Sequence, residues 1–259
     1  MNDNNQIDQP KRFYKYYPIE SWQYMCRDWT IRFTPPDDFN DPFEFLPAIT
    51  GLACDDNLYE LFESNFSMQV TKGAEEVWKG LDSNLREIFS MKVLELPFNL
   101  NKNILYKNFL DLVQMATPRF ASLLPQKIKS LVGVLCLTTQ NDNLLMWSHY
   151  GNSYKGFVVE YDAKNEFFHR GEDINFTLRP VMYASTRPNK NINELDINDF
   201  LYIKSNIWAY ENEYRLVTPL TDNERYLWYD NKKRGVCDIP KQAVKSIIFG
   251  AKLSQDTIR

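Results

Sequence analysis

The chain has 259 residues, a formal net charge of −4 and an ordinary apolar share, but it is rich in aromatics, with 17 Phe, 15 Tyr and 6 Trp. That length buries a sizeable core without disulfide or metal support. With mild charge and scattered basic residues no broad nucleic-acid footprint is visible, although folding can still gather a local patch. The polar start lacks an apolar leader core, and no stretch approaches the ~20 apolar residues that span a bilayer, so export and membrane spanning are excluded.

In chain order, residues 1–10 read as a disordered leader, rich in Asn, Asp and Gln with little to bury. Residues 11–259 read as a single domain. A strand is expected over Phe13 to Tyr17, helical spacing over Ile19 to Asp28 through Trp22, Met25 and Cys26, and a second strand over Thr30 to Thr34. Pro35 and Pro36 lack amide donors and end that strand. From about 57 to 130 the texture becomes helical, an inserted lobe punctuated by Pro97, Pro118 and Pro125 into three or four helices. Leu131 to Thr138 is apolar at both parities and reads as a buried central strand. Asn141 or Asp142 caps a short helix through Leu144, Leu145, Trp147 and His149, which Gly151 terminates. Strands follow over Gly156 to Tyr161 and near Pro180 to Ala184, with a helix within Ile192 to Lys204. The strands Glu213 to Thr218, Arg225 to Tyr229, Val236 to Ile239 and Val244 to Phe249 complete the chain. This order predicts an α+β fold with a strand-rich core of mixed or antiparallel sheets and a helical insertion.

Three segments carry candidate chemistry. Phe39-Asn40-Asp41-Pro42-Phe43-Glu44 forms a rigid corner, because Asn and Asp side chains bond the nearby backbone and Pro42 fixes the turn. It reads either as a structural turn or as a rim where Asn40, Asp41 or Glu44 meets a ligand. The second segment runs from Asn143 to Gly151. His149 stands there in the last helical turn, where the dipole favours a cation, and reads as an acid, a phosphate partner or a capping residue. His169, the other histidine, reads as surface. The third is Trp208-Ala209-Tyr210-Glu211-Asn212-Glu213-Tyr214-Arg215. In extended chain Glu211, Glu213 and Arg215 share one face, and repulsion raises one glutamate pKa unless Arg215 or Lys204 compensates. A charged strand face is often merely solvated, but Trp208, Tyr210 and Tyr214 beside it suit a pocket.

Other chemistries find little support. Cys26, Cys54, Cys136 and Cys237 are far apart with no Cys-x-x-Cys pair, which argues against zinc and a disulfide framework and fits reduced thiols in a cytoplasm. No histidine pair has metal-ligand spacing. Ser148 beside His149 is poor geometry for a nucleophile and its base, and no Gly-x-Ser-x-Gly elbow or Gly-rich phosphate loop is present. A metal-dependent nuclease, with Asp37, Asp38, Asp41, Glu44, Glu211 and Glu213 around Mg²⁺, is the weakest alternative.

Tyr14-Lys15-Tyr16, Pro36 to Glu44, Asn143 to Phe157 and Trp208 to Leu216 together resemble the bacterial family called domain of unknown function 2971, over most of the chain outside the helical lobe. The order of parts is also similar to an ADP-ribosyltransferase, with Lys15 standing between tyrosines where that superfamily usually has Arg or His, and with no clear Ser-Thr-Ser segment. The resemblance implies that NAD is a substrate and that Glu213 is the catalytic glutamate, with Glu211 beside it facing the acceptor. It implies that Tyr150 or Tyr210 stacks on nicotinamide and that Lys15 or His149 holds the pyrophosphate, with Tyr16, Asn40, Asp41, Trp147 and Arg215 completing the NAD-binding set. The implied protein is a cytoplasmic toxin or phage-defence effector that modifies a macromolecular target, protein or nucleic acid. A non-catalytic sensor or interaction module is the alternative reading.

Overall fold

The computed structural model describes residues 10–88, 90–169, 178–220, 226–229 and 232–254, with the backbone alone at 88, 226–229 and 232–235. The expected leader falls almost wholly outside them. Strands β1 (Arg12–Tyr17), β2 (Thr30–Arg32) and β3 (Ala48–Ile49) precede four helices, α1 (Asp55–Gly80), α2 (Ser83–Ile88), α3 (Met91–Leu100) and α4 (Lys102–Leu131). Then come β4 (Val132–Thr138), α5 (Leu144–His149), β5 (Phe157–Asp162), β6 (Arg179–Pro180), β7 (Met182–Ala184) and β8 (Asn189–Lys190). The chain continues through α6 (Ile197–Leu201), β9 (Ile203–Ser205), β10 (Glu213–Pro219), β11 (Tyr226–Tyr229), β12 (Lys232–Asp238) and β13 (Val244–Phe249). Helices and strands are mixed, and the main sheets are antiparallel, as an α+β fold requires.

The described chain forms two compact units. The first, residues 10–47, 125–188 and 196–254 where described, holds a six-stranded sheet in the order β13-β5-β1-β4-β10-β6. β1 pairs with β5 along its whole length, from Arg12↔Asp162 to Tyr17↔Phe157, and β4 pairs with β10 from Glu213↔Thr138 to Pro219↔Val132. Between these two zipped halves only Tyr14↔Thr138 joins β1 to β4. The sheet is therefore split at its centre.

Period-two alternation distributes the side chains. Phe13, Tyr17, Leu135, Leu137, Phe157, Val159, Tyr161 and Leu216 form the main core on one face. Tyr16 and Val158 face the other way and pack with Met146 and Trp147 of α5. Both faces are covered, which is why β4 reads as apolar at both parities.

The second unit, residues 48–124 and 189–195, contains α1 to α3, α4 as far as Leu124 and the short parallel pair β3–β8. Its buried residues include Leu58, Phe62, Val70 and Ala74, all on α1, with Tyr106 and Phe109 of α4 ringed around Phe62.

Several local expectations need correction. Pro118 and Pro125 lie inside α4 and Pro97 inside α3; the breaks fall at Leu81, Ser90 and Asn101 instead. A helical proline costs ~3 kcal/mol, but in a long run of good helix formers nucleation is met once and propagation carries on. Ile19 to Asp28 is a 3₁₀ turn followed by a π-helical turn, too short and bulky for a regular α-helix. The cap of α5 is Asn143, whose Oδ1 accepts from the amides of Leu145 and Met146, one residue beyond the two candidates.

Candidate functional site

Glu211 and Glu213 do not share one continuous strand. Glu211 ends a 3₁₀ turn over Asn206–Glu211, and β10 starts at Glu213. Asn212 between them is left-handed, φ 43° and ψ 53°, a conformation asparagine tolerates better than most residues. The reversal lets both carboxylates reach the same place. Side chains hold the junction: the Thr138 hydroxyl donates to the Glu211 carbonyl, and the Glu213 amide donates to the Tyr183 hydroxyl at 2.8 Å.

That place is the ammonium of Lys204 on β9. Its Nζ lies 2.6 Å from Glu211 Oε2, 2.9 Å from Glu213 Oε2 and 3.4 Å from Glu44 Oε1. The Lys204 ammonium also sits over the Trp208 ring, 5.1 Å from its centre. Arg215, completely buried, grips Glu213 through Nε at 2.7 Å and Nη2 at 3.2 Å, donates from Nη1 to the Leu201 carbonyl at 2.6 Å, and pairs with Glu44 through Nη2. The rings of Phe39 and Phe45 lie 5.6 Å and 5.1 Å from its guanidinium. The corner segment, β9 and the start of β10 are thus joined by ionic hydrogen bonds, the strong kind when water is excluded.

Three carboxylates meet two cations here, and their environments differ. Burial alone would raise the pKa of Glu213, but Arg215 and Lys204 outweigh it and hold the carboxyl well below its ordinary value. Burial raises Glu211, with Glu213 adding to the effect against Lys204, and burial likewise raises Glu44. Tyr150 donates to Glu211 Oε1 at 2.7 Å, and burial and that carboxylate push its hydroxyl far up. Burial works against the charge on Lys204, yet its three carboxylates raise it well above the usual lysine range.

Beside this cluster a cavity of about 350 Å³ opens, lined on one side by Tyr14, Lys15 and Tyr16 of β1 and on the other by Cys136, Leu137 and Thr138 of β4. Consecutive residues of both strands reach it, as expected for a gap between strands rather than a pocket on one face. The gap follows from β1 and β4 pairing at Tyr14↔Thr138 alone. Lys15 leans across it and donates to the Cys136 carbonyl at 3.0 Å. Burial, with help from Arg32, lowers the pKa of this lysine. Phe39 and Asn40 of the corner, Met146 and Tyr150 of the α5 segment, and Lys204, Glu211 and Glu213 close the remaining walls.

Of the residues singled out in the sequence, Lys15, Tyr16, Asn40, Tyr150, Glu211 and Glu213 line this one cavity. Asp38 and Phe39 of the corner segment, Met146 and Lys204, also named from the sequence, line it too, whereas Asp41, Glu44, Trp147, His149, Tyr210 and Arg215 stand outside its lining. Arg215 lies behind Glu213, and Asp41 is buried with Oδ1 accepting from the Phe43 amide at 2.8 Å, as a turn residue does. Trp147 packs edge-on against Tyr16 and donates to the Asn141 carbonyl at 3.0 Å, and Tyr210 flanks that same cluster. His149 is exposed, with its ring 6.2 Å from that of Trp208, and His169 is exposed as expected. Sequence reasoning did not place Tyr14, Thr34, Cys136 or Thr138 in the wall, because strand residues reach a ligand only where the ladder opens. Among the described residues no group of three or more His, Cys, Asp or Glu is disposed to hold a metal ion; Glu44, Glu211 and Glu213 converge on Lys204 and Arg215.

Comparison with known proteins returns one family, described as protein of unknown function (DUF2971), whose model matches residues 146–216. No curated protein and no solved structure matches the chain. No helix among the described residues is long and apolar enough to cross a membrane. The stretch similar to the DUF2971 family carries Met146, Tyr150, Lys204, Glu211 and Glu213, five side chains of the cavity wall that include both of its glutamates.

Proposed function

We propose that the chain is an ADP-ribosyltransferase-like cytoplasmic effector, of toxin or phage-defence type, that takes NAD as substrate and transfers ADP-ribose to a macromolecule. One observation carries the reading: Glu211 and Glu213 enter a single aromatic-walled cavity at the split of the sheet, together with Tyr150. Its volume of about 350 Å³ lies at the small end of ligand pockets and suits the nicotinamide ribose half of a dinucleotide.

In such a transfer the bond from the ribose C1′ to nicotinamide breaks, and nicotinamide leaves with the bonding pair. An acceptor atom then bonds to C1′ and loses its proton. Positive charge develops on the ribose in between. Glu213, kept ionised by Arg215 and Lys204, is suited to oppose that charge through a hydrogen bond to the ribose 2′-hydroxyl. Glu211 is the less firmly ionised of the two and suits the acceptor's proton. Tyr14, Tyr16, Phe39 and Tyr150 offer flat surfaces for the nicotinamide ring.

The second reading, a ligand sensor in which the network is structural, draws on the Arg215 clamp, which already engages both oxygens of Glu213. Labelled NAD incubated with the protein and cell extract separates them. The transferase reading expects released nicotinamide and transferred label, both reduced by about 10²-fold or more in Glu213→Gln. Equal transfer by Glu213→Gln, or none by the unmodified chain, removes the assignment.

A further inference from the structure

Among the described residues, Lys204 is the one side chain whose charged end touches glutamates from both the corner and the β10 segment as well as Glu211, and it also lines the cavity. We propose that Lys204 is a positioning residue that keeps the Glu211 carboxyl aimed into the cavity beside Glu213 and opposes its protonation, a role that rests on the transferase reading only in what the aimed carboxylate then does.

The geometry supports this in three steps. The two oxygens of Glu211 are each engaged once, Oε2 by Lys204 at 2.6 Å and Oε1 by the Tyr150 hydroxyl at 2.7 Å, so the plane of the carboxylate is fixed by one cation and one phenol. Arg215, the other buried cation, bonds Glu213 and Glu44 but makes no bond to Glu211. Lys204 is therefore the partner whose charge opposes both the burial of Glu211 and its repulsion by Glu213. Lastly, Lys204 is itself held by the Trp208 ring, 5.1 Å from its ammonium, and by Glu44 Oε1 at 3.4 Å.

The groups facing Glu211 come from every neighbouring element. Lys204 lies on β9, Glu213 and Arg215 on β10, Glu44 on the corner, Tyr150 after α5, Tyr183 on β7 and Tyr210 on the same turn; Lys15 and the Cys136 thiol lie further along the cavity, around Glu213. The tyrosine hydroxyls all have raised pKa values, with burial the first cause in each, and stay neutral around neutral pH. Removing the ammonium thus leaves Glu211 against Glu213 with no cation bonded to it.

The test is a carbon-13 titration of the glutamate carboxyls in the full chain, with the Glu211 resonance identified by its loss in Glu211→Gln. Lys204→Met is expected to raise the Glu211 midpoint by about one pH unit or more, and Lys204→Arg to bring it back towards the unmodified value. Should Lys204→Met fail to fold, the double variant Lys204→Met with Glu44→Gln removes one charge of each sign and should show the same rise. An unmoved Glu211 midpoint in a folded variant overturns the proposal. Nicotinamide release measured across the same pH range should lose its acid limb at the shifted midpoint. A chain that releases no nicotinamide refutes the transferase reading, while the carboxyl titration still decides the role of Lys204.

Discussion

At the scale of single residues, Glu213 owes its character to what lies behind it rather than to the cavity in front. Its pKa is held below the ordinary glutamate value although burial acts the other way, because Arg215 and Lys204 both bond it. A carboxyl whose folded pKa is depressed contributes stability above its unfolded value of about 4.3, and that contribution is lost as pH falls through the folded value. Glu44 and Glu211 have the opposite sign, since burial raises them and acid relieves their cost. The Glu213→Gln variant should therefore be less stable than the parent at pH 7, with the gap narrowing once pH drops below about 4. Urea unfolding of both proteins at several pH values checks this, and a gap that widens on acidification contradicts the ion-pair account. His149 shows the converse case. Its place in a last helical turn recommended it as a site residue, yet that turn leaves the ring in solvent outside the cavity lining.

At the scale of elements, the decisive joint is the left-handed Asn212 between the 3₁₀ turn and β10. Replacing it with Gly keeps the conformation open, whereas Val there places a β-branched side chain where φ is 43°. Asn212→Gly should stay within about 1 kcal/mol of the parent, and Asn212→Val should lose about 1–3 kcal/mol together with the alignment of Glu211 with Glu213. Thermal unfolding and the carboxyl titration read the two effects separately; equal behaviour of the two variants would show that the joint does not depend on that conformation. Much of the element order was legible from the chain. Alternation and apolar runs marked β1, β4, β5, β10 and β13, because the first four bury one or both parities against a covered face and β13 packs partly buried Val244, Ile247 and Ile248 against it. The site was legible in part, since a glutamate pair among aromatics and a polar corner are local signals. What escaped was tertiary. A Glu-x-Glu-x-Arg run in isolation reads as a solvated face; Lys204, seven residues before Glu211, could be named as a compensating charge, but not that it bonds both glutamates, nor that Glu44 from a remote corner partners Arg215. Nor does any local signal announce that β1 and β4 share a single residue pair, which is the feature that opens the cavity.

At the scale of the whole molecule, the two units differ in how their apolar side chains are used. In the first, Ile31, Val134, Leu135, Phe157, Val158, Val159, Tyr161 and Phe168 are completely buried. In the helical unit no residue described on α3 is buried, and Leu96, Phe98, Leu100, Ile104, Leu112 and Met115 are all at least half exposed. Burial of apolar surface is the main source of local resistance to opening, so the units should not open together. Hydrogen exchange followed by mass spectrometry on the free chain is expected to leave the amides of β4, β5 and β10 protected longest, and to label α2 and α3 orders of magnitude sooner. Within the sheet, amides of the β1–β5 and β4–β10 ladders should outlast those facing the split, because there a single pair, Tyr14↔Thr138, holds the halves together. If α3 proved as slow as β5, its exposed apolar face would have to be covered in solution by another chain, and the helical unit would then be a docking surface rather than the weaker half of the fold. Uniform protection across the sheet would instead mean that β1 and β4 zip beyond one pair, which would close the cavity on which the catalytic reading depends.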